Sequence, residues 1–116
     1  MSLRVLYLDD ELDLCEIFID EFSSGDVTII AMTDSTQAIA EAQNNPPDVV
    51  FIDYRLPGTT GDAVAQAMPP HIPKYLVSGE VSVFTEYEFE GFFGKPYDRK
   101  EIGSVIESLL KGKKAA

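Results

Sequence analysis

The chain has 116 residues, enough for one domain with a single core and too few for a second of ordinary size. Its composition, 45% hydrophobic and 25% charged, is that of an ordinary soluble globular protein and gives no reason to expect disorder. A formal net charge of −11 argues against direct nucleic-acid binding, and with no bilayer-length apolar run and no secretory start a cytoplasmic location is the default expectation.

The first apolar run, Val5 to Leu8, reads as a strand and ends in Asp9-Asp10-Glu11. Leu12, Cys15, Phe18, Ile19 and Phe22 follow at helical spacing, with Glu16, Asp20 and Glu21 opposite, and Ser23-Ser24-Gly25 stops that helix. Cys15 lies on the apolar stripe and reads as a core residue. As the single cysteine it forms no internal disulfide, which fits a reducing compartment. After a strand at Val27 to Ala31, Asp34 and Gln37 have the spacing of a capping box. They open a second helix through Ala38, Ile39 and Ala42, which Asn44-Asn45-Pro46-Pro47 terminates.

The third strand, Val49 to Ile52, runs directly into Asp53. Gly58 and Gly61 read as turn residues, Pro57 as a rigid one, and a short helix runs from Gly61 or Asp62 to Met68 before Pro69-Pro70 breaks it. His71, between prolines, reads as a loop residue. Tyr75 to Val77 ends in Ser78-Gly79, and Phe92-Phe93 leads to Lys95-Pro96. Only 16 residues separate Ser78 from Lys95, so Val81 to Tyr87 has room for about two helical turns and the fourth helix is expected to be shortened. Asp98 is placed to cap a last helix with the stripe Ile102, Val105, Ile106 and Leu109, and residues 111–116 read as a polar, lysine-rich tail.

Alternating strands and helices predict one α/β domain over 1–116, a parallel sheet with helices on both faces and right-handed crossovers. In such folds sites form at the carboxyl ends of strands. There the sequence places Asp9, Asp10 and Asp53, carboxylates that repel one another unless a cation intervenes, and an oxygen-only site of that kind suits Mg²⁺. Lys95 would balance their charge and hold a phosphoryl oxygen. Each residue also has a blander reading: an isolated acid caps the first helix, Ser78 satisfies loop backbone, Lys95 is a solvated charge.

Asp9-Asp10, Asp53 within Asp53-Tyr54-Arg55-Leu56-Pro57-Gly58, Ser78-Gly79 and Lys95-Pro96, in that order and at strand ends, resemble the signature of response-regulator receiver domains, the chemotaxis-regulator-like family. The resemblance covers nearly the whole chain. It implies a doubly wound (βα)5 flavodoxin-like fold and a phosphorylation-dependent switch of a two-component phosphorelay. Asp53 would take a phosphoryl group from a sensor histidine kinase, a phosphotransfer protein or a small phosphodonor. Mg²⁺ would be held directly by Asp10, through water by Asp9, and by Asp53 and the Arg55 backbone carbonyl. Ser78 and Lys95 would grip the phosphoryl oxygens, and Phe92, three positions before the lysine, stands at the aromatic switch position. No turnover of an external substrate is implied.

Arg55 and Glu80, each two residues beyond a site residue, are expected to pair over the pocket and prolong the phosphorylated state. The segment before Lys95 departs from the family in length and aromatic content, so the usual output face is not carried over. Two alternatives fit the residues poorly and a third stays open. A haloacid dehalogenase-type phosphatase would need a second carboxylate where Arg55 stands. A flavodoxin-like cofactor binder would need a phosphate cradle where Asp9-Asp10-Glu11 lies. A pseudo-receiver would use the same scaffold for phosphorylation-independent binding. Whether the chain acts alone or is part of a longer protein is not decided by its sequence.

Overall fold

The computed structural model describes residues 2–80 and 82–115. In chain order its elements are β1 (Leu3–Leu8), α1 (Leu12–Phe22), β2 (Val27–Met32), α2 (Ser35–Asn44), β3 (Val49–Asp53), β4 (Arg55–Leu56), β5 (Thr59–Thr60), α3 (Gly61–Ala67), β6 (Lys74–Ser78), β7 (Gly91–Gly94) and α4 (Arg99–Ala115). Five strands form one all-parallel sheet in the order β2-β1-β3-β6-β7. This is the expected doubly wound α/β arrangement. Its strand order reverses between β1 and β3, and the crevice at that switch point is where a ligand finds open strand ends.

Side-chain alternation along the strands divides the core. Val5, Tyr7, Val49, Phe51 and Val77 face α1 and α4, where they meet Cys15, Phe18, Ile102 and Ile106. Leu6, Leu8, Val50 and Ile52 face α2 and α3 and meet Ala38, Ala42, Val64 and Met68. Burial on both faces explains why these strands read as unbroken apolar runs. The Asp34 carboxylate accepts the Gln37 N–H at 2.8 Å, half of the expected capping box, and Asp98 accepts the Lys100 N–H at 2.9 Å.

Two expectations need correction. Gly58 does turn the chain, with φ +72 in the two-residue connection between β4 and β5, a small hairpin that no apolar run announces. Gly61 does not: it opens α3 against β3, where an added Cβ would stand 2.5 Å from the Asp53 carbonyl oxygen and 2.9 Å from Leu76. It is a close-approach glycine that lets α3 begin beside the site. The polar residues expected as a tail continue α4 to Ala115, because Lys113 reaches the Asp48 carboxylate and the Ser2 carbonyl at 2.8 and 2.7 Å, and Lys114 pairs with Asp26.

The β6–β7 crossover goes beyond the expected shortening. Among the described residues of 79–90 none is helical; Val81, where the short helix was expected to begin, lies outside them. Tertiary anchors take the helix's place. Asp62 on α3 accepts the N–H groups of Glu86 and Tyr87 at 3.0 and 2.8 Å. The buried Lys74 ammonium donates to the Pro69 and Ile72 carbonyls and to the Tyr87 hydroxyl, 2.7, 2.9 and 2.8 Å away. Tyr87 and Phe89 thereby pack on the α2/α3 side of the core, and Phe84 is left almost wholly exposed.

Candidate functional site

The strand order assembles the site. β1 and β3 are neighbours, so Asp9 and Asp10, just past β1, meet Asp53 at the end of β3. β6 lies on the other side of β3 and ends in Ser78, whose carbonyl accepts the Lys95 N–H at 3.0 Å, and this bond brings the lysine back from the edge strand. Carboxylate oxygens of Asp9, Asp10 and Asp53 all lie within 4.8 Å of one another. Asp9 is fully buried, Asp53 and Ser78 nearly so, and Asp10 faces solvent.

Lys95 Nζ lies between two of the acids, 2.8 Å from Asp9 Oδ2 and 3.0 Å from Asp53 Oδ1. Burial holds the Asp53 carboxyl above the usual carboxylate range; the Lys95 hydrogen bond pulls the other way, and the charges of Asp9 and Asp10 add to the upward push. Burial works against the Lys95 charge, but its bonds to Asp9 and Asp53 outweigh this and raise its pKa. An oxygen-only set of three carboxylates against one ammonium keeps excess negative charge, and its donors are the hard kind that fit Mg²⁺.

The acids do not serve as caps of α1. Glu11 at the N-cap makes no side-chain cap bond, and Asp9 Oδ1 accepts the Glu11 N–H at 3.0 Å, outside the helix. Cys15 is buried, as expected, with its Sγ–H toward the Asp9 carbonyl at 3.3 Å; burial, with Asp9 next, pushes its thiol up to about 11, so it stays protonated. Ser78 Oγ accepts the Glu80 N–H at 3.0 Å, which holds the hydroxyl at the strand end. Arg55 and Glu80 do pair, with Nη2 and Nε 2.6 and 3.2 Å from Glu80 Oε1, so β4 and the β6–β7 crossover are joined across the rim.

Phe92 is not the core strand residue that it resembles in isolation. Its neighbour Phe93 packs against Phe51 and Tyr75, whereas Phe92, on the opposite face of β7, is 59% exposed and stacks edge-on against Phe89. With Ser78, Glu80 and Val83 it lines a cleft of about 430 Å³ where a fourth helix would lie. Sequence reasoning missed Tyr7, whose buried hydroxyl donates to Asp9 Oδ2 at 2.8 Å. The one available signal was a tyrosine inside an otherwise aliphatic strand two residues before Asp9.

A family profile described as "Response regulator receiver domain" matches residues 5–107. The chain belongs to that family. Among curated relatives, this receiver is 23% identical over 115 residues to the transcriptional regulatory protein BaeR of Escherichia coli O6:H1, a match covering 93% of the chain and 48% of BaeR. It is 24% identical over 118 residues to the DNA-binding response regulator MtrA of Mycobacterium tuberculosis H37Rv, covering 96% and 52%. The chain thus spans about half the length of these relatives. The signal receiver domain of an HD domain-containing protein from Pseudomonas fluorescens Pf-5 superposes with TM-score 0.85 at 18% identity over the whole of both chains. A CheY-like receiver domain from Methylobacillus flagellatus gives 0.81 at 22%, covering 94% and 99%. At these identities the likeness speaks for the fold. Among the described residues no helix is long and apolar enough to cross a membrane.

Proposed function

We propose that this receiver is a signalling switch in which Asp53 accepts a phosphoryl group from a histidine kinase, a phosphotransfer protein or a small phosphodonor. The observation that carries this reading is the lysine placed between two of three clustered carboxylates, 3.0 Å from Asp53. An Asp53 oxygen bonds to phosphorus as the bond from phosphorus to the donor atom breaks, and the donor leaves with that electron pair. Asp10, exposed and close to Asp53, would bind Mg²⁺ directly, with Asp53 itself and the Arg55 carbonyl, and Asp9 would act through water. When bound, Mg²⁺ supplies positive charge against the negative charge of the reacting oxygens. Lys95 then moves its donor to a phosphoryl oxygen, and the Ser78 hydroxyl takes another, drawing on the crossover through Glu80. Rearrangement of Ser78 reaches Phe92 through the cleft they share, so a change at the site is read out on the β7 surface.

Beside Lys95, Leu14, Ile17 and Tyr97 line a second cleft of about 480 Å³, next to the exposed Leu12. This apolar surface at the rim suits a phosphodonor protein, whose histidine must reach Asp53. With a net charge of −11, residues 1–116 are not proposed to touch DNA themselves, and a cytoplasmic setting agrees with a kinase partner.

The deciding measurement is intact mass and Mg²⁺-dependent labelling with acetyl phosphate for the parent and Asp53→Asn. One phosphoryl group that requires both Mg²⁺ and Asp53 is the expected result. No labelling of the folded parent, with a kinase failing as well, would favour a pseudo-receiver, a phosphorylation-independent binding module. A second expectation concerns lifetime. The Arg55–Glu80 pair, being exposed, contributes little to stability, but by joining two loops at the rim it would hinder an attacking water. Arg55→Ala is expected to hasten loss of the acyl phosphate a few-fold; an unchanged or slower rate would reject this role.

A further inference from the structure

We infer that Tyr7 is a positioning residue of the site: its hydroxyl shares the Asp9 carboxylate with Lys95 and so leaves the ammonium available to a phosphoryl group on Asp53. The inference rests on the phosphoryl-acceptor reading above. Tyr7 is wholly buried on the α1/α4 side of β1, its ring stacked on Phe18 with centroids 4.1 Å apart and planes at 12°. A hydroxyl among Val5, Phe18 and Phe51 is costly unless it is bonded, and phenylalanine would fill the same space without that cost. The bond it makes is to Asp9, and to the oxygen that Lys95 uses. Asp9 Oδ2 has Tyr7 Oη and Lys95 Nζ each at 2.8 Å, while Oδ1 accepts the Glu11 N–H.

Asp9 is buried, and three donors hold its carboxylate. Two of them are permanent. The Tyr7 phenol, its ring stacked on Phe18, and the Glu11 N–H are both fixed in place by the fold. Lys95 is the third, and it is the one that has to turn toward a phosphoryl oxygen. With Tyr7 in place Asp9 stays bonded when Lys95 turns; without it, Asp9 holds the ammonium more tightly and presents more uncompensated charge to any cation nearby.

The test compares the parent with Tyr7→Phe, which keeps the stacked ring, using two probes. Mg²⁺ affinity is measured by calorimetry, and beryllofluoride affinity by fluorine NMR at saturating Mg²⁺. The expected result is opposite movement: beryllofluoride binding weakened about tenfold, as loss of a hydrogen bond to a charged group implies, with Mg²⁺ binding unchanged or a few-fold tighter. In the Asp9→Asn background, which has no charge to share, adding Tyr7→Phe is expected to have no further effect on beryllofluoride. Equal affinities in parent and Tyr7→Phe, or a parallel weakening for both probes, would overturn the inference and leave Tyr7 a packing residue. A folded parent that binds Mg²⁺ but not beryllofluoride would refute the phosphoryl-acceptor reading itself, a result distinct from either.

Discussion

Lys95→Met is expected to cost about 3 kcal/mol or more of folding stability at pH 7 in the absence of metal, and to lose less at pH 5. Methionine keeps most of the buried stem and removes the ammonium that lies 2.8 Å from Asp9 and 3.0 Å from Asp53. Removing one partner of a buried ion pair leaves its counterion unpaired in a poor solvent, which is the expensive way to break such a pair. Here two carboxylates are left, with Asp10 beside them. The pH dependence follows from Asp53. Its folded-state pKa is already raised, so its contribution to stability is fully present below the unfolded value and is lost as pH rises through the folded one. Lys95 is what restrains that rise, so in the variant the ionised carboxylate opposes folding more strongly and protonation relieves it. Lys95 itself, with a raised pKa, contributes fully at both pH values and would lose its contribution only above its folded pKa. Urea denaturation of parent and variant at pH 5 and 7 measures the difference; an equal deficit at both would contradict this account.

Asp53→Asn is expected to melt several degrees above the parent without Mg²⁺, and to lose the stabilisation that Mg²⁺ gives the parent. The proposed nucleophile works against folding: burial and the charges of Asp9 and Asp10 disfavour its ionised form, and Lys95 only partly offsets them. Asparagine removes the charge and still offers an oxygen to Lys95, which keeps its bond to Asp9. A cation that binds only the folded site stabilises it by about 2.7 kcal/mol at a hundred times its dissociation constant. That increment should appear in the parent and vanish, or nearly so, in the variant. Thermal melts at pH 7 with and without Mg²⁺ distinguish the outcomes. A variant that melts below the parent without metal would mean that the Lys95–Asp53 bond outweighs the repulsion, and an undiminished Mg²⁺ response would place the ion elsewhere.

Much of this molecule was legible in one dimension because its signals are local. Helix α1 begins and ends at the residues that its apolar period and Ser23-Ser24-Gly25 predict, and α2 ends where Asn44-Asn45-Pro46-Pro47 stops it. The β-strands extend at most two residues beyond their apolar runs, since hydrogen bonding continues into Leu3, Asp53, Ser78 and Gly94 where hydrophobicity does not. The site acids and the lysine could be named in advance because each follows a strand directly, and a parallel sheet delivers all its strand ends to one edge.

What had to wait for the tertiary structure was every feature that depends on a neighbour far along the chain. The described residues of the crossover before β7 stay out of a helix because Asp62 and Lys74 supply their backbone and Tyr87 with partners, a competition invisible in residues 79–90 alone. Gly61 has a turn's composition but serves contact with β3, and the lysines after Leu110 stay helical through Asp48, Asp26 and Ser2. Phe92 and Phe93 look alike in sequence; the pleat sends one into the core and the other to the surface. Tyr7 reads as one more core aromatic until its hydroxyl is found on Asp9. Sequence by itself determined which residues meet at the strand ends, since period and punctuation are written locally. Only the tertiary structure decided how they share charge, since a hydrogen bond between Lys95 and Asp9 spans 86 positions of chain and exists only once the sheet has closed.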